Sequence, residues 1–367
     1  MRNKVIPLAF LGAAILAGLV VARGCGGKNQ GEVAAQNGAD KAATAAPAPR
    51  PGPAAPAASG AIVITVDAGP GGDAAGGPEV VFSATWGGSR MDQLGRARPQ
   101  EGNPEAPMAV TVDGKGRMFV LDQVNGRVVR VGADGKPEGI IPLKQQESAQ
   151  DLAVADDGSA AVLDRFSSKS VVLYDEKGNV RGEIPLEGEG IEETGLVSGI
   201  FTDGKDVYVE KEHGPLVRIG TTDGQPSPDR GEIPGRPTRD GLSFINAGII
   251  DANAGRMYVN SIERATMQHR FTRELRQTGE IRGIHLLDTD KTGTIYLATQ
   301  VERPNEGEVL VLTCLEPLKG VPVGSAALPV NTMPEETFRD LAVLDEGGVI
   351  YSLRTEAGVS YQKYDCQ

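Results

Sequence analysis

The sequence predicts an all-β body: a six-bladed β-propeller closed by a strand from its own amino-terminal side. An apolar leading segment and a linker precede it. Three observations predict this. Glycine turns between apolar, strand-like runs recur at Gly116, Gly158, Gly204, Gly255, Gly293 and Gly348, a spacing of roughly 40–55 residues that suits one blade each. A short apolar run precedes each turn and an aromatic or β-branched run follows it, the pattern of paired strands buried on both faces. The last repeat stops one strand short at Gln367, while residues 80–86 (VVFSATW) have no repeat of their own to join. Supplying the missing strand from the front of the body leaves that blade without an open edge and ties the chain ends together.

Taken in order, residues 1–25 combine a basic start (Arg2, Lys4) with an apolar run over residues 5–22. That is an export signal or a single membrane span. Three outcomes stay open: cleavage after the small residues near Ala22, lipidation of Cys25 in a loose lipoprotein box with Arg23 in an atypical place, or retention as an uncleaved anchor. Each takes the rest of the chain out of the cytoplasm, to the periplasm or the cell surface. Residues 26–78 are Ala, Pro and Gly with few large apolar groups. Such a stretch cannot bury enough surface to offset its chain entropy and reads as a disordered tether. One island inside it, residues 61–66 (AIVITV), has strand composition and reads as a transient strand or a docking spot for the tether.

The body, residues 79–367, is strongly acidic. Six of the 37 basic and four of the 49 acidic residues precede residue 79, which leaves the body at about −14. A surface of that sign repels phosphate backbones and anionic lipid, which argues against nucleic-acid binding and leaves the amino end as the one membrane contact.

Within the body each repeat reads as first strand, glycine turn, second strand, third strand and a weaker fourth. The first repeat is the clearest: MAVTVDGKGRMFVLDQVNGRVVRVGADGKP over residues 108–137, with Asn125-Gly126 and Asp134-Gly135 as hairpin signals. Fourth strands are expected at IIPL from Ile140, EIPL from Glu183, EIPG from Glu232, EIRG from Glu280 and ALPV from Ala327. Pro107 and the stretch from Ala109 (AVTVDGKGRMFVLDQVNGRVVRVGADG) resemble an NHL repeat, and the resemblance extends over residues 80–367. The family's Asp at the end of the second strand stands at Asp122 and Asp164, then gives way to Glu210, Ser261, Thr299 and Arg354. The resemblance implies a six-bladed propeller used mainly as a protein-interaction platform, with some lyases and lactonases on related propellers.

Candidate chemistry is sparse. The three histidines fall on a loop (His213), a third strand (His269) and a first strand (His285), which argues against one shared metal, and no cofactor is expected. DTDKTG at residues 288–293 is a partial calcium loop and reads as a plain turn. There is no GxSxG elbow and no phosphate-binding loop with its lysine. Aligning first strands on their glycine turns puts Gln150, His285 and Asp340 at one register near the start of each inner strand. His285 and Asp340, on adjacent blades near a channel mouth, read as a polar ligand contact, an acid–base pair or a satisfied hydrogen-bonding pair in a wet channel. Cys314 and Cys366, just past third strands of consecutive blades, are a candidate disulfide in an exported chain. The expected function is a membrane-tethered extracytoplasmic propeller, monomeric, that binds a protein or peptide. The alternative is an envelope enzyme, a lyase or lactonase-like hydrolase, with its site at the channel mouth.

Overall fold

The computed structural model describes residues 62–66 and 78–366, all within the compact unit Ala58–Gln367. The basic apolar start, Cys25 and most of the linker lie outside the described residues. Among the described residues no helix is long and apolar enough to cross a membrane.

The strands form six separate sheets of four or five strands each, a six-bladed propeller. The strand before each glycine turn lies on the inner side of its blade: Ala109–Val112, Asp151–Val154, Val197–Asp203, Ser243–Asp251, Glu280–Thr289 and Leu341–Val343. In the fourth blade the two-residue strand Arg236–Pro237 pairs inside Ser243–Asp251. Successive inner strands border one another around an axis at every seam except that between blades three and four. All six turn glycines have φ between 56° and 86°, a left-handed conformation that costs glycine nothing and other residues a Cβ clash. That requirement is why the turns mark the repeat so plainly.

Apolar clusters fill the seams between blades. Val110, Val120, Val129, Ile350 and Tyr361 join the sixth blade to the first. Phe119, Leu121, Leu152 and Val162 join the first to the second, and Leu163, Val171, Ile200 and Val209 the second to the third. Further clusters join the fourth to the fifth and the fifth to the sixth. The seam between blades three and four is tied by charge. Arg236 pairs with Glu210 at 3.0 Å and Arg264 with Asp203 at 2.6 Å.

The sixth blade takes strands from both sides of the body. Its third strand, Gly358–Tyr364, pairs antiparallel with Glu79–Trp86, from Glu79↔Lys363 to Thr85↔Gly358. Phe82 stacks on Tyr361 with ring centroids 5.8 Å apart. The Trp86 indole N–H donates to the Thr355 carbonyl at 3.0 Å. Cys314 and Cys366 are bonded across the seam between blades five and six, their Cα atoms 6.1 Å apart, inside the usual bridging range.

The fourth blade departs from the expected pattern. EIRG from Glu280 is not its outer strand; it opens Glu280–Thr289, the inner strand of blade five, which pairs along Ile295–Arg303. The outer position of blade four is filled by Ile62–Val66, paired parallel with His269–Gln277 from Ile62↔Arg273 to Val66↔Gln277. The strand-like island in the linker is therefore an integral fifth strand, and Ile64 packs against the core between blades four and five.

Candidate functional site: the axial cavity

A cavity of about 560 Å³ lies on the axis and takes lining residues from all six blades. Thr111 comes from the first blade, Asp151 from the second and Ser198, Phe201, Glu210 and His213 from the third. The fourth contributes Arg236, Arg239 and residues 246–249, the fifth residues 283–288 and the sixth residues 337–342.

Its charged groups are mostly matched. Asp151 is fully buried and accepts from Arg339 Nη2 at 2.7 Å and from the Ile200 N–H at 3.0 Å. Three blades meet at this one carboxylate. Burial pushes its pKa up, and the Arg339 charge with two backbone N–H groups pulls the other way. Glu210 accepts from Arg236 and from Ser198 Oγ at 3.0 Å each, with His213 Nδ1 at 3.5 Å. Burial works to raise the Glu210 pKa, but the Arg236 guanidinium and His213 outweigh it and hold it at about 2. Arg239 bridges Asp288 at 2.7 Å and Asp345 at 2.8 Å. Burial disfavours its charge, and the two carboxylates more than restore it. Phe201 lies between two guanidinium groups, Arg236 at 4.4 Å and Arg339 at 5.0 Å from its ring centre, which adds cation–π attraction in a partly desolvated place.

The residues singled out from the sequence are placed as follows. His285 and Asp340 both line the cavity, on blades five and six. His285 Nε2 is 2.8 Å from Gln300 Oε1. Burial raises the Asp340 pKa, against the opposing pull of His285 and Arg354. Gln150 is not among the lining residues; its side-chain oxygen accepts the Arg165 N–H at 2.9 Å. Asp151, one residue on, is the group that faces inward, because successive side chains of a strand point to opposite faces. His213 reaches the same cavity as His285, closer than their different strand positions implied, while His269 bonds to Thr272 elsewhere. Among the described residues no group of three or more His, Cys, Asp or Glu side chains is placed to hold a metal ion. In the DTDKTG turn, the Asp290 carboxylate accepts the N–H groups of Thr292 and Thr294.

The second-strand carboxylates have a different task. Asp122 accepts the Gly95 N–H at 2.7 Å, Arg127 Nε at 2.7 Å and Asn125 Nδ2 at 2.8 Å. Asp164 accepts from Ser148, Phe166 and Ser167. Each pins the incoming chain to its own blade. Glu210 stands at the same position in blade three, and its longer side chain turns the staple toward Arg236 and the cavity. The arginines themselves carried no sequence signal. Arg236 lies in the two-residue strand Arg236–Pro237, Arg239 and Arg339 lie in irregular segments ahead of longer inner strands, and only the folded chain brings them to the axis.

The site and sheets define the class of this protein: a six-bladed β-propeller with a polar axial cavity. No protein-family model matches the chain, and no curated protein matches it. Among solved structures it is similar to Kuenenia stuttgartiensis hydrazine synthase, at 19% identity and a TM-score of 0.47 over 70% of this chain and 78% of that one. It is also similar to virginiamycin B lyase from Staphylococcus aureus, at 12% identity and 0.36 over 70% and 94%. BamB from Moraxella catarrhalis gives 12% identity and 0.36 over 78% and 97%. At these levels the likenesses carry no argument about activity.

Proposed function

We propose that the protein is a non-enzymatic, extracytoplasmic binding propeller, tethered by its amino end, that seats a peptide or a short segment of a protein partner in the axial cavity. The observation that carries this reading is the cavity itself. Its volume of about 560 Å³ is that of a small-ligand site, and lining groups converge on it from every blade. The buried charges serve the wall: Arg236, Arg239 and Arg339 are each held by a carboxylate, so the pocket is preformed. The serine that lines the cavity, Ser198, donates to Glu210, and its Oγ accepts the backbone N–H of His213 instead of facing the imidazole ring, a poor arrangement for a nucleophile.

The alternative, an envelope lyase or lactonase-like hydrolase, is favoured by one observation: His285 and Asp340 face the same cavity from adjacent blades. Affinity capture of the full chain from membranes, in parallel with Thr337→Trp, separates the readings. Thr337 lines the cavity from a loop, so the indole fills space without disturbing a sheet. Loss of a specific captured partner in Thr337→Trp supports binding in the cavity. Capture unchanged by the substitution overturns it.

A further inference from the structure

Four carboxylates line the cavity (Asp151, Glu210, Asp288 and Asp340) alongside three arginines. Three of the carboxylates are taken, each by one of those arginines: Asp151 by Arg339 at 2.7 Å, Glu210 by Arg236 at 3.0 Å and Asp288 by Arg239 at 2.7 Å. Asp340 is the one left over. Asn331 is its hydrogen-bonding neighbour, and His285 and Arg354 act on it through space. Arg354 is itself engaged with the Glu335 carbonyl at 2.9 Å.

The facing wall is set by a short relay. Gln300 Nε2 donates to Glu308 Oε2 at 2.9 Å, which turns its Oε1 toward His285 Nε2 at 2.8 Å. An amide oxygen only accepts, so the network assigns the ring proton to Nε2 and leaves Nδ1 as an acceptor. Among the described residues the two walls therefore present a carboxyl held by no ion pair and, in the neutral ring, an imidazole nitrogen able to accept, both bordering the same cavity. A body of about −14 also favours the approach of cations.

We propose that the Asp340–His285 side of the cavity receives a primary ammonium group, supplied by a peptide amino terminus or by a lysine side chain. This deepens the binding reading above and rests on it. An ammonium carries three donors and one positive charge. One donor meets the Asp340 carboxylate, another meets His285 Nδ1, and the charge completes the one cavity carboxylate that no arginine holds in an ion pair. A guanidinium also carries the charge, but its rigid planar fork does not match one carboxylate and one ring nitrogen on separate blades.

The test is a ring-resonance titration of the full chain, in which only three histidines need assigning. Propylammonium chloride is the first probe, with N-propylacetamide as the uncharged comparison and sodium chloride as the salt comparison. The expected result is a saturable, millimolar shift of the His285 ring signal with propylammonium alone. Asp340→Asn should weaken it at least about tenfold while the melting temperature is kept. Two peptides then distinguish the sources: trialanine amide, with a free amino terminus, and N-acetyl-alanyl-lysine amide, with only the side-chain amine. No saturable shift at His285, or equal affinity in Asp340→Asn, overturns the proposal. If Thr337→Trp abolishes partner capture and Asp340→Asn does not, the cavity still binds and the ammonium assignment alone is wrong.

Discussion

Arg339→Ala should cost roughly 3–5 kcal/mol, the price of stranding a buried carboxylate. Among the described residues Arg339 is the only side chain that donates to Asp151, at 2.7 Å, and Asp151 has no exposed surface. The same guanidinium donates to the Ile200 carbonyl at 3.0 Å and covers one side of Phe201, so one substitution loosens blades two, three and six together. The cost should depend on pH in a definite sense. Burial already raises the Asp151 pKa, and removing the cation raises it further. A carboxyl with a folded value above its unfolded one, about 3.9, favours the fold while protonated. The penalty of Arg339→Ala should therefore be small near about pH 4 and should grow as the pH rises through the folded value. Asp151→Ala leaves a permanent cation and removes the raised carboxyl of the parent, so its cost should fall, not grow, as the pH rises over that range. The double variant should fall short of the sum of the singles by up to about 3 kcal/mol. Urea unfolding followed by the fluorescence of Trp86, the one tryptophan, reads all of this. A cost for Arg339→Ala below about 1 kcal/mol, or one equal at both ends of the pH range, would refute the reasoning.

Three further outcomes follow from the same geometry. Glu210→Gln should lower stability by on the order of 3 kcal/mol above about pH 4.5, because the parent carboxylate is held at about 2. That advantage should vanish as the pH falls from about 4.5 through 2, so acid unfolding curves of parent and variant converge there. Cys314→Ser should destabilise by up to roughly 4 kcal/mol, the loop entropy released for a separation of 52 residues, measured against the parent with and without reductant. Deleting residues 79–88 strips Phe82 and Ala84 from the core that holds Tyr361 and opens the edge of Gly358–Tyr364. The remaining body should fail to fold cooperatively, and a truncated chain with a sharp melt at the parent temperature would contradict closure of the ring by that strand.

The parts of this fold that were legible in the sequence are those with local signatures. The glycine turns report themselves because a left-handed backbone excludes most other residues, and so the repeat count and the inner and middle strands are readable at sight. The pairing of Ile62–Val66 with Ile62↔Arg273 as its first register pair has no such mark. No turn joins the partners and they run parallel, so the five residues look like any apolar island in a linker. Reading EIRG as an outer strand failed for a related reason: a four-residue motif says nothing about which side of a long loop it belongs to, and here the strand continues to Thr289. The site divides the same way. Alignment on the turns brought His285 and Asp340 to one cavity, but missed Asp151 by one position, which in a strand is the difference between two faces. The partnership of Asp151 with Arg339, 188 residues away, follows from closure of the ring and from nothing local.

The parallel strand on blade four gives the chain a mechanical order. A pull applied at the amino end reaches Ile62–Val66 before it reaches Glu79–Trp86. Five residue pairs, the Ile64 side chain and a contact with Pro322–Leu328 hold that first strand. Under load it detaches as a sacrificial fuse, paying out slack while the strand that pairs with Gly358–Tyr364 stays zipped. Single-molecule stretching should show a small, low-force rip, followed by the rupture of the whole ring at a much higher force.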